Sequence, residues 1–184
     1  FQNPVHEIHF SKVATTQSRD GLSVLIFRIG NERGNYIFNP CVQLYVVNTE
    51  TTLEGEKFMR TTEVPLRSTP PVIAGSFNIV AEVSPGSKIE MLCRAAGGES
   101  VNTMLHNAED NDSESYEAAD YSLLVTMSGF DDTYQAEMRA YHRYNTGDIF
   151  TNHMLKDCIK ISDAGKPFVC WDDFHQSQHM PKAF

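Results

Sequence analysis

The sequence has no long apolar segment. Its uninterrupted apolar runs are short, as at residues 24–27, whereas a membrane-spanning helix needs about 20 consecutive apolar residues. Residues 1–10 also lack the basic region and apolar core of a secretory signal. The sequence therefore predicts a soluble domain with one well-buried core, and a chain that begins at Phe1 instead of methionine suggests a fragment of a longer protein.

Cysteine pairs and catalytic signatures are missing as well. The four cysteines have no CxxC spacing, which argues against a disulfide framework or a zinc knuckle and predicts free thiols in a reducing compartment. The sequence contains no GxSxG elbow, P-loop, GxGxxG or HExxH motif. We therefore expect no enzyme activity, no catalytic residues and no cofactor.

Histidines are the residues that invite a search for a metal site. His175 and His179 are four residues apart, as two ligands on one helix face would be, but no carboxylate follows at a suitable spacing. His6 and His9 are three apart on a predicted strand, so they would face opposite sides of a sheet. We therefore expect no metal site and interpret His6 and His9 as ordinary surface residues.

Positive charge is scarce, since 15 Lys and Arg stand against 24 Asp and Glu, which gives a formal net charge of −9. A nucleic-acid partner requires clustered Lys and Arg to neutralise phosphates, so this composition argues against one. A surface of this sign concentrates cations instead.

Strand signals dominate the chain. Asp20 and Gly21 form a hairpin turn between predicted strands at 8–16 and 22–29. Val42, Leu44 and Val46 alternate with their neighbours at the period of a half-buried strand. Further strands are predicted at 57–66, 76–83, 121–127, 133–142, 158–161 and 167–170. Short strands separated by turns indicate an all-β fold, an antiparallel β-sandwich.

Two short helices and one insertion interrupt the strands. Ser87 and Glu90 have the spacing of a capping box at the start of a helix, and residues 146–155 are predicted to form the second helix. Residues 97–119 contain an acidic run and few apolar residues, so we expect a flexible acidic insertion there.

Six motifs follow one another along the chain: FSK at 10–12, RDG at 19–21, NERGNYI at 31–37, SGFDDT at 128–133, YNTGDI at 144–149 and WDDFH at 171–175. Together, in this order, they resemble the cytoplasmic C-terminal domain of inward-rectifier potassium channels, closest to their prokaryotic branch. The resemblance spans residues 8–175. It implies a linker at 1–7 after an absent transmembrane part, one immunoglobulin-like β-sandwich domain at 8–175, and a C-terminal tail at 176–184.

The resemblance also implies an assembly and a location. Four copies would form a homotetramer on the cytoplasmic side of the cell membrane. The central hole would extend the transmembrane potassium pore of the same protein, so that potassium ions pass through the domain and no cofactor is needed. The domain would couple cytosolic signals to the membrane gate.

Site residues follow from the same resemblance. Asn39 and Ser128 stand at the pore-lining positions that are acidic in strongly rectifying members, so strong block by polyamines is not expected. Gly129, Phe130 and Gln135 correspond to the cytoplasmic gate loop, although Phe130 could instead pack beneath its own hairpin.

Anionic lipid is a further expected partner. Family members carry a basic cluster before the first strand, but residues 1–7 contain no Lys or Arg. Arg33, in the loop after the second long strand, is therefore the expected lipid-binding and coupling residue.

A second interpretation remains open, because a fold alone does not determine a function. The chain could be a stand-alone β-sandwich that binds a protein or a small ligand. A potassium-selective pore sequence ahead of residue 1 would identify a channel, and a natural start near residue 1 would favour the binding module.

Overall fold

The computed structural model describes residues 8–97 and 120–181. The predicted linker 1–7, nearly all of the acidic insertion and the last three residues of the predicted tail lie outside these ranges. Among the described residues, no helix is long and apolar enough to cross a membrane.

The chain is mostly β-strand. In chain order the strands are β1 (Ile8–Phe10), β2 (Ala14–Arg19), β3 (Leu22–Asn31), β4 (Ile37–Thr51), β5 (Lys57–Val64), β6 (Val72–Ile73), β7 (Gly75–Glu82), β8 (Ser122–Asp131), β9 (Ala136–Asn145), β10 (Ile149–Thr151), β11 (His153–Leu155), β12 (Ile159–Ile161), β13 (Pro167–Val169) and β14 (Ser177–His179). The helices are α1 (Lys88–Ala95) and α2 (Trp171–Phe174).

Two five-stranded sheets enclose the core. One contains β1, β2, β3, β7 and β10, and the other contains β4, β5, β6, β8 and β9. The apolar side chains that alternate along β3, β4 and β8 form the main buried cluster, together with α1. Two small sheets, β11 with β14 and β12 with β13, complete the described structure. The predicted all-β sandwich is confirmed.

Local signals predicted several elements correctly. Asp20 and Gly21 have φ values of 52° and 76°, as a two-residue hairpin turn between β2 and β3 requires. Ser87 caps α1 by accepting a hydrogen bond from the Glu90 amide. Val42, Leu44 and Val46 are buried on β4 as their spacing predicted.

The predicted helix at 146–155 is wrong. Only Thr146–Asp148 forms a 3-10 turn, and β10 and β11 follow it. β10 pairs in parallel with β2, with Ile149 opposite Ala14, so backbone hydrogen bonds to a distant strand replace those of a helix. This pair is also an exception to the predicted antiparallel arrangement. Helix α2, in contrast, was not predicted.

β3 continues to Asn31, two residues beyond the strand predicted at 22–29. Arg28 is only 3% exposed. Its Nε donates to Asn78 Oδ1 (3.0 Å), its Nη1 to the Phe174 carbonyl (3.1 Å), and its Nη2 to the Lys156 carbonyl (2.8 Å). One buried guanidinium therefore joins β3 to β7 and to residues 156–175, which we call the C-terminal segment.

Gly30 leaves space for two aromatic rings on the same strand. A Cβ at this position would lie 2.7 Å from ring atoms of both Phe174 and Trp171. The absence of a side chain therefore lets α2 pack directly on β3.

Gly30→Ala should lower the free energy of unfolding by about 1–3 kcal/mol, because the added methyl group forces the rings of α2 away from β3. Urea denaturation of the two proteins measures this difference. Gly147→Ala is the matched control, since a Cβ there meets nothing within 4 Å. Equal losses in both variants would contradict the close packing at Gly30.

Candidate functional site

Two loops lie side by side at one end of the sandwich. We call them the paired loops: residues 32–36, between β3 and β4, and residues 132–135, between β8 and β9. The Asp132 amide donates to the Tyr36 carbonyl at 3.2 Å. The Arg33 guanidinium carbon lies 4.3 Å from the centre of the Tyr134 ring, a cation–π distance. The structure thus brings the predicted coupling residue into contact with the predicted gate hairpin.

Asp131 forms hydrogen bonds with both of the paired loops. It ends β8 and is only 2% exposed. Its Oδ1 accepts hydrogen bonds from Asn35 Nδ2 (2.8 Å), the Thr133 amide (2.9 Å) and the Tyr134 amide (3.1 Å). Because hydrogen bonds to a charged acceptor are stronger than neutral ones, this carboxylate both shapes its own turn and holds the neighbouring loop.

Asn31 forms hydrogen bonds that order the loop at residues 32–36. Its Nδ2 donates to the Asn35 carbonyl (2.8 Å) and to Asn35 Oδ1 (3.1 Å), and its Oδ1 accepts from the Arg33 amide (3.2 Å). The two amide side chains therefore connect the end of β3, the loop that carries Arg33, and Asp131.

The predicted gate residues occupy the hairpin itself. Phe130 is 37% exposed and pairs with Phe38 across the sheet. A Cβ on Gly129 would lie 2.5 Å from Ile37 Cγ2, so this position needs glycine for close packing. Gln135 has φ 52°, and its Nε2 donates to the Asp132 carbonyl at 2.6 Å.

The predicted pore-lining residues lie beside the hairpin. Asn39 has φ 49° within the bulge of β4 between Phe38 and Cys41, a conformation that asparagine tolerates better than most residues. Ser128 pairs with Cys41 on one side and with Arg139 on the other. All the predicted site residues are thus at the same end of the sandwich.

Exposed aromatic rings surround the paired loops. Tyr36, Phe38, Phe130 and Tyr134 are each more than a third exposed. The rings of Tyr36 and Phe38 are 6.1 Å apart. Clustered exposed rings are typical of a contact surface.

The described residues contain no group of three or more metal-ligating side chains. His175 ends α2 and His179 lies on β14, so these two residues do not share a helix face. His9 lies on β1 and contacts Glu32 (Nε2 to Oε2, 2.6 Å), whereas His6 lies outside the described residues.

Part of the chain matches a known protein family. Residues 8–71 match the family model of the inward rectifier potassium channel C-terminal domain. The matched segment contains Arg33 and Asn39, and it ends before the Phe130 hairpin. That family model describes a domain of channel proteins, not an enzyme family. The inward-rectifier resemblance is thus confirmed over residues 8–71, and no curated protein matches the chain.

The sequence did not single out the residues that hold the paired loops together. Asp131 lay within a recognised motif, but its partner Asn35 is 96 positions away. The available signal was local: an aspartate followed by Asp132 and Thr133 is typical of a turn in which a carboxylate accepts backbone amides.

Asp131→Ala should lower the free energy of unfolding by about 2–4 kcal/mol, because three donors lose a charged, buried acceptor. Asp131→Asn should cost less, since it keeps one oxygen acceptor. Hydrogen exchange should also become faster in residues 32–36, not only in the hairpin. Asp132→Ala, on the exposed neighbour, is the control, and unchanged exchange in residues 32–36 would show that Asp131 does not join the loops.

The C-terminal segment also holds the start of the domain. The Lys12 amide donates to His175 Nδ1 at 3.1 Å. Burial lowers the pKa of His175, and Lys12 and His9 lower it further. Burial also lowers the pKa of His142, which stacks on Phe10, although Asp148 opposes that shift.

Acid should destabilise the domain in the range just below pH 6.5, the usual pKa of histidine. A lowered folded-state pKa means that the unfolded chain binds more protons in this range, so stability rises with pH there and falls on acidification. Protonated His175 also cannot accept the Lys12 hydrogen bond. Denaturant unfolding between about pH 5 and 8 measures this slope.

The matched pair for this measurement is His175→Gln and His179→Gln. His175→Gln should flatten the slope in part and leave the contribution of His142. His179→Gln, on exposed β14, should leave it unchanged. Identical slopes in the wild-type chain and His175→Gln would exclude His175 as a source of the pH dependence.

Proposed function

We propose that the chain is the regulatory and pore-extending cytoplasmic domain of an inward-rectifier-type potassium channel. Four copies assemble around one axis beneath the transmembrane pore of the same protein. The observation that carries this proposal is the family match over the segment containing Arg33, together with the direct contact between that segment and the Phe130 hairpin.

The paired loops supply the coupling step. A displacement of residues 32–36, by the membrane part or by anionic lipid near Arg33, pulls on Asp131 through Asn35. Asp131 in turn shapes the hairpin that carries Phe130. A small movement at one loop is thereby converted into a movement of the other.

Phe130 provides the constriction in this proposal. Four exposed rings around an axis form an apolar ring, and apolar constrictions in channels close by losing their water. Gly129 keeps this part of β8 close to β4, and Gln135 closes the turn through its bond to the Asp132 carbonyl. The hairpin is therefore well defined in position.

The proposed pore wall has no acidic side chains at its two lining positions, so it should attract cations only weakly. Asn39 and Ser128, the proposed lining positions, are neutral, and Arg139 pairs with Ser128 on the neighbouring strand. The net charge of −9 per copy still favours cations over anions near the surface. Salt limits this effect to about 8 Å at physiological ionic strength. Rectification by polyamines is thus proposed to be weak.

Sedimentation tests the assembly. The chain should form a species of four times the monomer mass as its concentration rises, with weak association because the membrane part is missing. A chain that stays monomeric at the highest attainable concentration would favour the stand-alone binding module.

Cross-linking tests where the hairpin points. In a Cys41→Ser background, Phe130→Cys should form disulfide-linked dimers on oxidation of the tetramer, because four thiols then meet near the axis. Phe150→Cys is the control, since Phe150 is similarly exposed but lies on β10 of the other sheet. Equal cross-linking at both positions would reject the proposed orientation.

A further inference from the structure

Two cysteines face each other at the open end of a short hairpin. β12 and β13 pair with Ile159 opposite Val169. One step outward, the same register places Cys158 opposite Cys170, and the Cys170 amide donates to the Cys158 carbonyl at 2.7 Å. Neither cysteine forms a disulfide in the structure.

This register suits a disulfide. Directly opposed residues of an antiparallel pair project their side chains to the same face. A hydrogen-bonded pair has its Cα atoms about 5.5 Å apart, within the range of about 4.4–6.8 Å found for disulfides. Hydrogen-bonded pairs hold their Cβ atoms near the wide end of about 4.5–5.5 Å, and a disulfide needs about 3.5–4.5 Å. The two strand ends must therefore move closer by about 1 Å, which the open end of a short hairpin permits.

The two thiols differ in access. Cys158 is only 2% exposed, and its Sγ donates to Ser76 Oγ at 3.5 Å, which is a weak interaction that a side-chain rotation can break. Cys170 is partly exposed, and its side chain hydrogen-bonds to Asp173 and Lys160, so it too must turn to meet Cys158. An oxidant therefore reaches Cys170 first, and Cys158 is the neighbouring thiol that can resolve the product.

We propose that Cys158 and Cys170 form a reversible disulfide under peroxide. Hydrogen peroxide oxidises the Cys170 thiol to a sulfenic acid and releases one water. The Cys158 sulfur then attacks the Cys170 sulfur, the S–S bond forms, the S–O bond breaks, and a second water leaves. A dithiol reductant reverses the reaction by thiol–disulfide exchange.

The bond would connect the two segments that hold Arg28. Lys156, two residues before Cys158, and Phe174, four residues after Cys170, both accept hydrogen bonds from Arg28 through their carbonyls. Asp173 already links these segments through Lys156, with Nζ and Oδ1 2.7 Å apart. The disulfide therefore fixes covalently an arrangement that otherwise depends on polar contacts.

The other cysteines are not suited to this reaction. Burial raises the pKa of Cys93 to about 12, with a smaller contribution from Glu90, so its thiol stays protonated and unreactive. Cys41 is exposed on β4 and has no cysteine opposite it, because Ser128 is its partner. Replacing Cys41 removes an exposed thiol that could link separate chains.

The test uses the whole chain with Cys41→Ser, treated with hydrogen peroxide and then with an alkylating reagent. We expect two alkylatable thiols to be lost, a decrease in mass of two hydrogen atoms, and a peptide in which Cys158 is joined to Cys170. Dithiothreitol should restore both thiols. Hydrogen exchange in residues 156–160 should be slower in the oxidised protein.

Two variants make the result specific. Cys158→Ser should abolish the linked peptide and leave Cys170 open to further oxidation, whereas Cys93→Ser should leave the link intact. A link to Cys93, or a Cys170 sulfinic acid formed without any link while Cys158 is present, would overturn the proposal. The assembly state does not enter this test, so its outcome is independent of the proposed channel function.

Discussion

A buried positive charge organises this domain. A charge removed from water destabilises a protein unless its hydrogen-bonding groups find partners. Arg28 meets that condition with acceptors from β7, from Phe174 and from Lys156. Burial lowers the pKa of Arg28, and the nearby Cys158 and Asp157 oppose that shift. Because two of the acceptors are carbonyls of the C-terminal segment, that segment must return to β3 for the fold to close.

Three residues near the end of β3 each make a different contact. Arg28 binds the returning segment, Gly30 admits the rings of Trp171 and Phe174, and Asn31 orders the loop that carries Arg33. The end of β3 is therefore a continuous physical link from the C-terminal segment to the paired loops. A change on one side, such as a covalent bond at Cys158, acts on a strand that the other side shares.

Local patterns in the sequence predicted local structure well. The Asp20–Gly21 turn, the alternation along β4 and the Ser87 cap each depend on residues within a few positions of one another. The helix predicted at 146–155 was wrong because the conformation of this region depends on pairing with β2, more than a hundred residues away. The strand predicted at 22–29 likewise stopped two residues short of the end of β3, and the distant acceptors of Arg28 gave no local signal.

In the candidate site, too, the sequence identified single residues but not the contacts between them. Similarity to a known family singled out Arg33 and Phe130 separately, but it did not indicate that their loops touch. That contact depends on Asn35 and Asp131, an amide and a carboxylate whose pairing has no local periodicity.

The paired loops are joined by polar and ring contacts that a movement of one loop can break. The Thr133 and Tyr134 amides bind Asp131 within its own turn, so the turn can persist when Asn35 leaves. Separation of the loops then breaks at least the bond from Asn35, the bond from the Asp132 amide to Tyr36, and the contact of Arg33 with Tyr134. Such a set is worth about 2–5 kcal/mol in total. A ligand that binds one loop arrangement better than the other by a similar free energy would shift the population of docked loops. A rigid, fully buried interface would resist that shift, whereas two exposed loops tied through one carboxylate permit it.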